Sequence, residues 1–309
     1  MATPFVSIII PAYNKAGYIQ LLLESLKNVK YPREKIEVII VDDGSTDDTG
    51  EIVQKYLSYL PIRIKYVRIK HSNAANARNV GISTAKGEII LFVDADCKVT
   101  SNLISAHVRN YNDQKIAGVQ GVILGYGDEN IITKVIEDMP WVYFRKWAVY
   151  RRKTTDWAPL ANASFRRSIL REVGGLDANI PYGEDVDLGW RITKRGYKIV
   201  CDAEAVVLHP RKEYDNIIKV IKRMFIRGKA DAELQIKHVE RTSMTFPSLA
   251  SVLIMLAIST LALCLIYQNP SFIYALLLWV LVYFLGDALL YSLGIKSSKY
   301  YVLRTQDED

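Results

Sequence analysis

Short, nearly continuous apolar runs alternate with stretches of helical periodicity along the first hundred residues. Four runs, at residues 6–10, 36–41, 62–69 and 88–93, suit one strand each and are too short for a typical helix. Apolar residues spaced for one helix face follow the first run, at 19–26. This alternation predicts an α/β fold with a doubly wound, mostly parallel sheet, whose strands end on one common rim.

Later segments extend the same pattern. The sequence predicts a polar helix after residue 96, a strand at 117–124, a helix at 184–194 and a strand at 198–208. In the loop after the second strand, Ser45 or Thr46 is expected to cap the next helix, with Asp47 and Asp48 in its first turn. These elements predict one α/β domain within residues 1–211.

The C-terminal part is strongly apolar. No residue from 242 to 286 is charged, and the break at 268–271 predicts two membrane-spanning helices, at about 246–267 and 272–293, within a hairpin of residues 246–294. Basic residues flank both ends, so the positive-inside rule places both termini, including the polar tail 295–309, in the cytosol at a cell membrane. Asp287 lies inside the second span and is a candidate functional residue without an assigned role.

Two segments combine basic and apolar side chains. Residues 212–245 predict a basic amphipathic helix on the cytosolic leaflet. In residues 131–153, tryptophan, tyrosine and phenylalanine alternate with arginine and lysine. Such a segment can contact a membrane or an acceptor substrate, form an ordinary core helix, or bind single-stranded nucleic acid. The net charge of +7 is concentrated near the apolar tail, so we expect no nucleic-acid partner.

Charged residues follow the predicted strands where they end. Asp42 and Asp43 follow the second strand, Arg78 comes after the third, and Asp94 and Asp96 follow the fourth. Two carboxylates can bind a ribose or a base edge, and a guanidinium suits a diphosphate. Asp94 and Asp96 are two positions apart and point to the same side if the chain is extended, which suits a divalent cation; a plain turn is the alternative.

Several functional classes lack their motifs. There is no Gly-x-Gly-x-x-Gly after the first strand and no Gly-Lys-Ser/Thr phosphate loop, which disfavours dinucleotide oxidoreductases and P-loop NTPases. The three cysteines match no zinc pattern and no disulfide framework, so we expect a reducing, cytosol-facing compartment. The start of the chain lacks the features of a secretory signal.

Several segments in one order resemble the inverting family 2 glycosyltransferases, which have the GT-A fold. The matching segments are Val-Ser-Ile-Ile-Ile-Pro-Ala-Tyr-Asn at 6–14, Val-Asp-Asp-Gly-Ser-Thr-Asp at 41–47, Ala-Arg-Asn at 77–79 and Phe-Val-Asp-Ala-Asp at 92–96. Further matches are Gly-Gly-Leu-Asp at 174–177 and Gly-Glu-Asp-Val-Asp at 183–187.

The resemblance implies roles for individual residues. Tyr13, Asp42 and Asp43 would line the nucleoside pocket, Arg78 would meet the base or a phosphate, and Asp94 would lie beside the ribose. Asp96 would bind Mg²⁺ or Mn²⁺, with Asp94 near the metal. Asn73 stands where many relatives have glycine, and we expect it to keep the loop shape because asparagine tolerates a left-handed backbone.

The second half supplies acceptor-side candidates. An inverting transfer needs a carboxylate base opposite the leaving nucleotide, and by resemblance that base is Asp185, with Glu184 beside it. Capping of a helix is the structural alternative for this pair. His209 is a candidate third metal ligand. Arg227 is expected to contact the diphosphate, while Asp187 and Arg191 form a structural pair.

The sequence thus predicts a membrane-anchored, metal-dependent glycosyltransferase. It would move one sugar from a nucleotide diphosphate sugar to a lipid-linked or polyprenyl phosphate acceptor at the cytosolic face, in contact with membrane lipids. A processive polysaccharide synthase is the alternative within the class, although residues 222–229 lack the tryptophan of the Gln-x-x-Arg-Trp motif. A catalytically silent nucleotide-sugar-binding scaffold is the alternative from another class, and a homo-oligomer is compatible with the sequence.

Overall fold

A computed structural model describes residues 3–130, 133, 149, 153–180, 182–214 and 216–238. The chain divides into two compact units, residues 1–234 and 235–309. The described strands and helices belong to the first unit, except that the last helix ends at Lys237. The predicted hairpin, Asp287, the polar tail and most of residues 131–153 lie outside the described residues.

The described part of the chain contains nine strands and seven α-helices. The strands are β1 Val6–Ala12, β2 Ile36–Asp42, β3 Arg63–Arg68, β4 Ile89–Val93, β5 Lys98–Val99, β6 Ile116–Tyr126, β7 Thr154–Thr155, β8 Asn162–Arg166 and β9 Lys198–Pro210. The helices are α1 Ala16–Leu26, α2 Thr49–Tyr56, α3 Ala74–Thr84, α4 Leu103–Val108, α5 Arg167–Glu172, α6 Glu184–Lys194 and α7 Ile217–Lys237. The strands and helices predicted between residues 6 and 208 are each present, with bounds shifted by a few residues.

The sheet is mixed, which corrects the expectation of a mostly parallel one. The strand order is β3-β2-β1-β4-β8-β6-β9-β5, with β7 also on β9. The first four strands in this order pair in parallel, as predicted. Beyond β4 the described sheet contains both pairings: β8 is antiparallel to both β4 and β6, β9 is parallel to β6, and β5 and β7 are antiparallel to β9.

Strand alternation builds a core on both faces of the sheet. In β1, Ile8 and Ile10 pack on one face with α1, α2 and α4, while Ile9 packs on the other face with α3, α5 and α6. Such double burial explains why β1, β2 and β4 read as continuous apolar runs. The helices therefore cover both faces and leave the carboxyl rim of the parallel strands as the place for a ligand.

A buried polar cluster explains why β8 is not among the strands predicted from the sequence. Asn162 and Ser164 of β8 are fully buried, and they contact His107 of α4: Nε2 lies 2.9 Å from the Asn162 Oδ1, and Nδ1 lies 3.0 Å from the Ser164 Oγ. Burial lowers the pKa of His107 to about 4, so the imidazole is neutral near pH 7. Because partners within the fold satisfy these polar groups, β8 is a central strand without an apolar run.

Three local expectations are wrong. Helix α2 begins at Thr49, and neither Ser45 nor Thr46 caps it; the Ser45 Oγ accepts a hydrogen bond from the Asn14 N–H at 3.0 Å. Asp47 lies before the helix, where its two oxygens accept from the Thr49 and Ala16 N–H groups at 3.0 Å each. Asn73 has φ −167° and caps α3 through its side chain, so it occupies extended and not left-handed backbone.

Candidate active site at the carboxyl rim of the sheet

Asp42 and Asp43 have different surroundings at the end of β2. The Asp42 oxygens accept hydrogen bonds from the Ser45 N–H at 2.7 Å and from the Tyr66 hydroxyl, and burial together with Asp42 raises the pKa of Tyr66 to about 12. The Asp43 Oδ1 accepts from the Ser72 N–H at 2.9 Å. Asp42 therefore holds the loop in place, while Asp43 fixes the neighbouring loop after β3.

Tyr13 forms an aromatic stack at the same rim. Its ring lies parallel to the imidazole of His71, with centroids 4.1 Å apart and planes inclined by 18°. The His71 Nδ1 lies 3.0 Å from the Asp43 Oδ2, so the stack covers that carboxylate. His71 is not among the residues predicted for the site; the feature that could have revealed it is its position just after β3, a parallel strand next to β2. Tyr13, His71 and Asp43 form a platform that suits a nucleobase.

The Asp94–Asp96 segment is a turn, which corrects the extended arrangement assumed from the sequence. The Cys97 N–H donates to the Asp94 carbonyl at 3.0 Å, so the chain turns here and is not extended. Asp94 pairs with Arg78, whereas Asp96 is almost fully buried beside Lys15 and His209. The two carboxylates therefore have different partners among the described residues, and the predicted place of Asp94 near the metal stays a prediction.

Asp96 carries a buried oxygen without a hydrogen-bond partner. This Oδ1 lies 3.4 Å from the His209 Nε2, while Oδ2 lies 2.5 Å from the Lys15 ammonium. The nearby Cys97 Sγ completes a group of potential ligands, but burial, followed by the charges of Asp94 and Asp96, raises the pKa of its thiol. A carboxylate oxygen without a hydrogen bond that faces an imidazole nitrogen fits a divalent cation such as Mn²⁺. Asp96 and His209, two of the three residues predicted to bind metal, therefore suit one.

Arg78 connects the turn to the start of α6. Its guanidinium donates to the Asp94 Oδ1 and to the Glu184 Oε1, at 2.8 Å each, and the residue is only 5 % exposed. Burial disfavours its charge, but Asp94 and Glu184 outweigh burial and raise the pKa of Arg78. The described contacts of Arg78 are with carboxylates, and its contact with a base or phosphate stays a prediction.

Glu184 and Asp185 occupy the first turn of α6. Burial, followed by the neighbouring charge of Asp185, raises the pKa of Glu184 to about 6, although Arg78 opposes the shift. The Asp185 Oδ1 accepts from the Val186 N–H at 2.9 Å. Gly183 has φ +85°, and an added Cβ there would lie 2.6 Å from the Leu234 side chain of α7. Glycine is therefore required to bring this acidic turn against α7.

The predicted support for α6 is confirmed. Arg191 donates to the Asp187 Oδ2 through Nε at 2.8 Å, and it also binds the carbonyls of Val173 and Gly175. This network anchors the loop at 174–175 to the helix that carries Glu184 and Asp185. The pair is structural, as predicted.

Helix α7 follows the site in sequence. Position 227 lies within it, but the Arg227 side chain falls outside the described residues, so its predicted diphosphate contact stays a prediction. Val220 and Leu234 are buried, whereas Ile218 is 63 % and Phe225 77 % exposed. Among the described residues, no helix combines the length and the apolar character needed to cross a membrane.

Comparisons with known sequences point to one family. The sequence model described as glycosyl transferase family 2 matches residues 7–174. Glycosyltransferase AglE of Haloferax volcanii is 26% identical over 242 residues, which cover 78% of this chain and 77% of AglE. The pre-mycofactocin glycosyltransferase of Mycobacterium tuberculosis is 26% identical over 244 residues, 77% of this chain but only 49% of that protein.

Solved structures share the fold. The mannosyltransferase PcManGT from Pyrobaculum calidifontis, solved with GDP-Man and Mn²⁺, has a TM-score of 0.59 at 20% identity, covering 94% of this chain and 87% of its own. Staphylococcus aureus TarS has a TM-score of 0.52 at 21% identity, covering 66% of this chain and 36% of TarS. These likenesses show a GT-A type of mixed α/β sheet.

Proposed function

The chain belongs to glycosyl transferase family 2. From this membership, and from the uncharged stretch at residues 242–286, we propose that it is a membrane-anchored, metal-dependent, inverting transferase. It moves one sugar from a nucleotide diphosphate sugar to a lipid-linked sugar or a polyprenyl phosphate at the cytosolic face. The observation that carries the proposal is the buried Arg78, which joins the Asp94–Cys97 turn to the acidic start of α6. The turn proposed to lie beside the donor and the acidic start of α6 proposed to act on the acceptor thereby meet at one rim of the sheet.

The donor binds along the rim from β2 to β4. Its base lies on the platform of Tyr13, His71 and Asp43, and its ribose lies towards Asp94. Solved neighbours support a nucleotide sugar, because PcManGT was solved with GDP-Man and TarS with UDP-GlcNAc. The Tyr13 and His71 rings are stacked directly on each other, with centroids 4.1 Å apart, so a base has no space between them. The base therefore stacks on an outer ring face or displaces His71.

Asp96 and His209 hold the metal in this proposal. Mg²⁺ or Mn²⁺ would supply positive charge that neutralises the departing nucleoside diphosphate. The chain's own contribution is to place a carboxylate oxygen, Asp96 Oδ1, and an imidazole nitrogen, His209 Nε2, at one buried point. Asp96 is held there by the turn and by the Tyr126 hydroxyl, which donates to its carbonyl at 3.2 Å.

Asp185 is the base. Its ionised carboxylate accepts the proton of an acceptor hydroxyl while that oxygen forms the bond to the anomeric carbon and the nucleoside diphosphate leaves from the opposite side. The start of α6 favours the ionised form through the helix dipole. Glu184 is held by Arg78 and positions this turn.

The exposed face of α7 contacts the membrane in this proposal. Ile218 and Phe225 are seven residues apart and lie on one helix face, together with the exposed Lys222 and Lys229. An apolar stripe with cations beside it suits the surface of an anionic bilayer. The buried Leu234 of the same helix touches Gly183, which brings the acidic turn near that surface.

Donor binding is testable by thermal stabilisation. We expect one nucleotide diphosphate sugar, with Mn²⁺ or Mg²⁺, to raise the Tm of the full chain by about 5 °C at 100 times Kd. Asp96→Asn should lose the part of this increase in Tm that depends on the metal, whereas the exposed Asp113→Asn should keep it. A wild type that no nucleotide sugar stabilises contradicts the proposal.

The nucleotide sugar that stabilises the chain is then used as donor in transfer assays with lipid-linked and with soluble acceptors. Equal transfer to soluble acceptors without lipid excludes the lipid acceptor. A ladder of products of increasing length excludes the transfer of a single sugar.

The membrane contact of α7 has its own test. A fluorophore on Phe225→Cys, in a background lacking Cys201 and Cys264, should be quenched by brominated lipids when the chain is reconstituted in vesicles with anionic lipid. The matched position Leu21→Cys on α1, which is also exposed, should not be quenched. Equal quenching at both positions, or none at position 225, rejects the assignment of this face.

A further inference from the structure

Lys15 forms an ion pair with Asp96, the carboxylate that is proposed to bind the metal. Its ammonium is 2.5 Å from the Asp96 Oδ2, and its side chain is 29 % exposed, compared with 4 % for Asp96. The resemblance that suggested Asp96 assigned no role to Lys15. The only oxygen of Asp96 left without a hydrogen bond among the described residues is Oδ1, on the side of His209. A metal at that oxygen would share one negative charge with the ammonium.

Hydrogen bonds fix the backbone of Lys15, whereas its long side chain can rotate. The Lys15 N–H donates to the Thr49 Oγ1 at 2.8 Å, and the next N–H, of Ala16, donates to Asp47. These bonds hold the loop between β1 and α1 against the start of α2. A lysine side chain has four rotatable carbons and carries a compact, rotatable donor, so its ammonium can change partners without movement of the loop.

Charge balance favours such an exchange. With Asp96 alone, a divalent cation and the Lys15 ammonium would place three positive charges against one negative charge. Their repulsion across a few ångströms of a largely buried site weakens metal binding in the free protein. The diphosphate of a donor brings negative charge to the same place and offers the ammonium a new acceptor.

We propose that Lys15 is the resident counter-cation of Asp96 and a positioning residue for the donor. In the free protein it neutralises the carboxylate and keeps the affinity for Mn²⁺ low; when a nucleoside diphosphate binds, the ammonium turns to the diphosphate and releases the carboxylate to the metal. Metal and nucleotide then strengthen each other's binding by the same factor. This inference rests on the proposed donor and metal site.

The test is a set of Mn²⁺ titrations of the purified full chain, read by electron paramagnetic resonance of free Mn²⁺, without nucleotide and with saturating UDP or GDP. Without nucleotide, Lys15→Met should bind Mn²⁺ about tenfold more tightly than the wild type, because the competing charge is gone. The gain in Mn²⁺ affinity on adding nucleotide should shrink by about the same factor. Lys15→Arg should behave like the wild type, and so should Lys27→Met at the other end of α1.

Three other results of these titrations would contradict the role of Lys15 or the metal site on which that role rests. If Lys15→Met binds Mn²⁺ without nucleotide no more tightly than the wild type, the counter-cation role is wrong while the metal site stands. If Lys15→Arg resembles Lys15→Met, the role depends on shape and not on charge, and the proposal is again wrong. If the wild type binds no Mn²⁺ with either nucleotide and Asp96→Asn changes nothing, the metal part of the proposed function fails, and this inference fails with it.

Discussion

An Asp185→Asn protein is expected to bind the nucleotide sugar with nearly normal affinity and to transfer the sugar about a thousandfold more slowly to a hydroxyl acceptor. The amide cannot accept the proton that the acceptor loses. It can accept the hydrogen bond that the Asp185 Oδ1 takes from the Val186 N–H, so the start of α6 should keep its shape. The measurements are donor affinity by calorimetry and single-turnover transfer with radiolabelled donor.

The two proposed acceptor classes respond differently to this substitution. A sugar hydroxyl must lose a proton when it attacks, whereas a polyprenyl phosphate oxygen is already anionic near pH 7. A large loss of rate with the lipid-linked sugar and a small loss with the polyprenyl phosphate would therefore support Asp185 as a base. Asp177→Asn, on the loop before α6, is the control and should retain transfer.

Two results would contradict the assignment. Equal activity of Asp185→Asn and wild type on a hydroxyl acceptor would exclude Asp185 as the base. A wild type that binds the donor but transfers to neither acceptor would favour the nucleotide-sugar-binding scaffold.

The rim itself was predictable from the sequence. Because β1, β2 and β4 are buried on both faces, their apolar runs reveal them as parallel strands, and the residues that follow them must share one edge. Asp43, Asp94 and Asp96 could therefore be placed near one another before the fold was known. The helix at 184–194 was equally readable from its spacing and its acidic start.

The partners of these residues were not predictable. Periodicity fixes the face on which a side chain lies, but it does not determine which distant residue it meets. Lys15 reaches Asp96 across 81 positions, and Arg78 reaches Glu184 across 106. The antiparallel insertion of β8 was hidden for a related reason, since its buried polar residues depend on His107 for hydrogen bonds.

An Arg78→Met protein is expected to lose about 3 kcal/mol of unfolding free energy at pH 8, because removal of one partner leaves buried carboxylates without their counter-charge. Glu184 is only 17 % exposed and Asp94 31 %, so water compensates Glu184 poorly. The value is at the low end for broken buried pairs because Asp94 is partly solvated. Urea unfolding of the full chain, followed by fluorescence, measures the loss.

The loss should shrink as the pH falls. The pKa of Glu184 in the folded protein is about 6, above its ordinary value of 4.5, so its contribution to stability is fully present below pH 4.5 and is lost as the pH rises through the folded value. Arg78 lowers that pKa, and its removal should raise it further. At pH 5 the variant therefore carries a protonated Glu184, and most of the penalty seen at pH 8 is absent.

Arg109→Met provides the contrast that makes this result specific. Arg109 binds Asp202 through two hydrogen bonds, of 2.8 and 2.7 Å, but its side chain is half exposed, so we expect its loss to cost less than about 1 kcal/mol. Arg109, with other hydrogen bonds, outweighs burial and lowers the pKa of Asp202 below 3.8; the cost is therefore nearly constant between pH 5 and 8. If Arg78→Met behaved like Arg109→Met, water and not Arg78 would neutralise the acidic start of α6, and the ion pair would not join the two halves of the site.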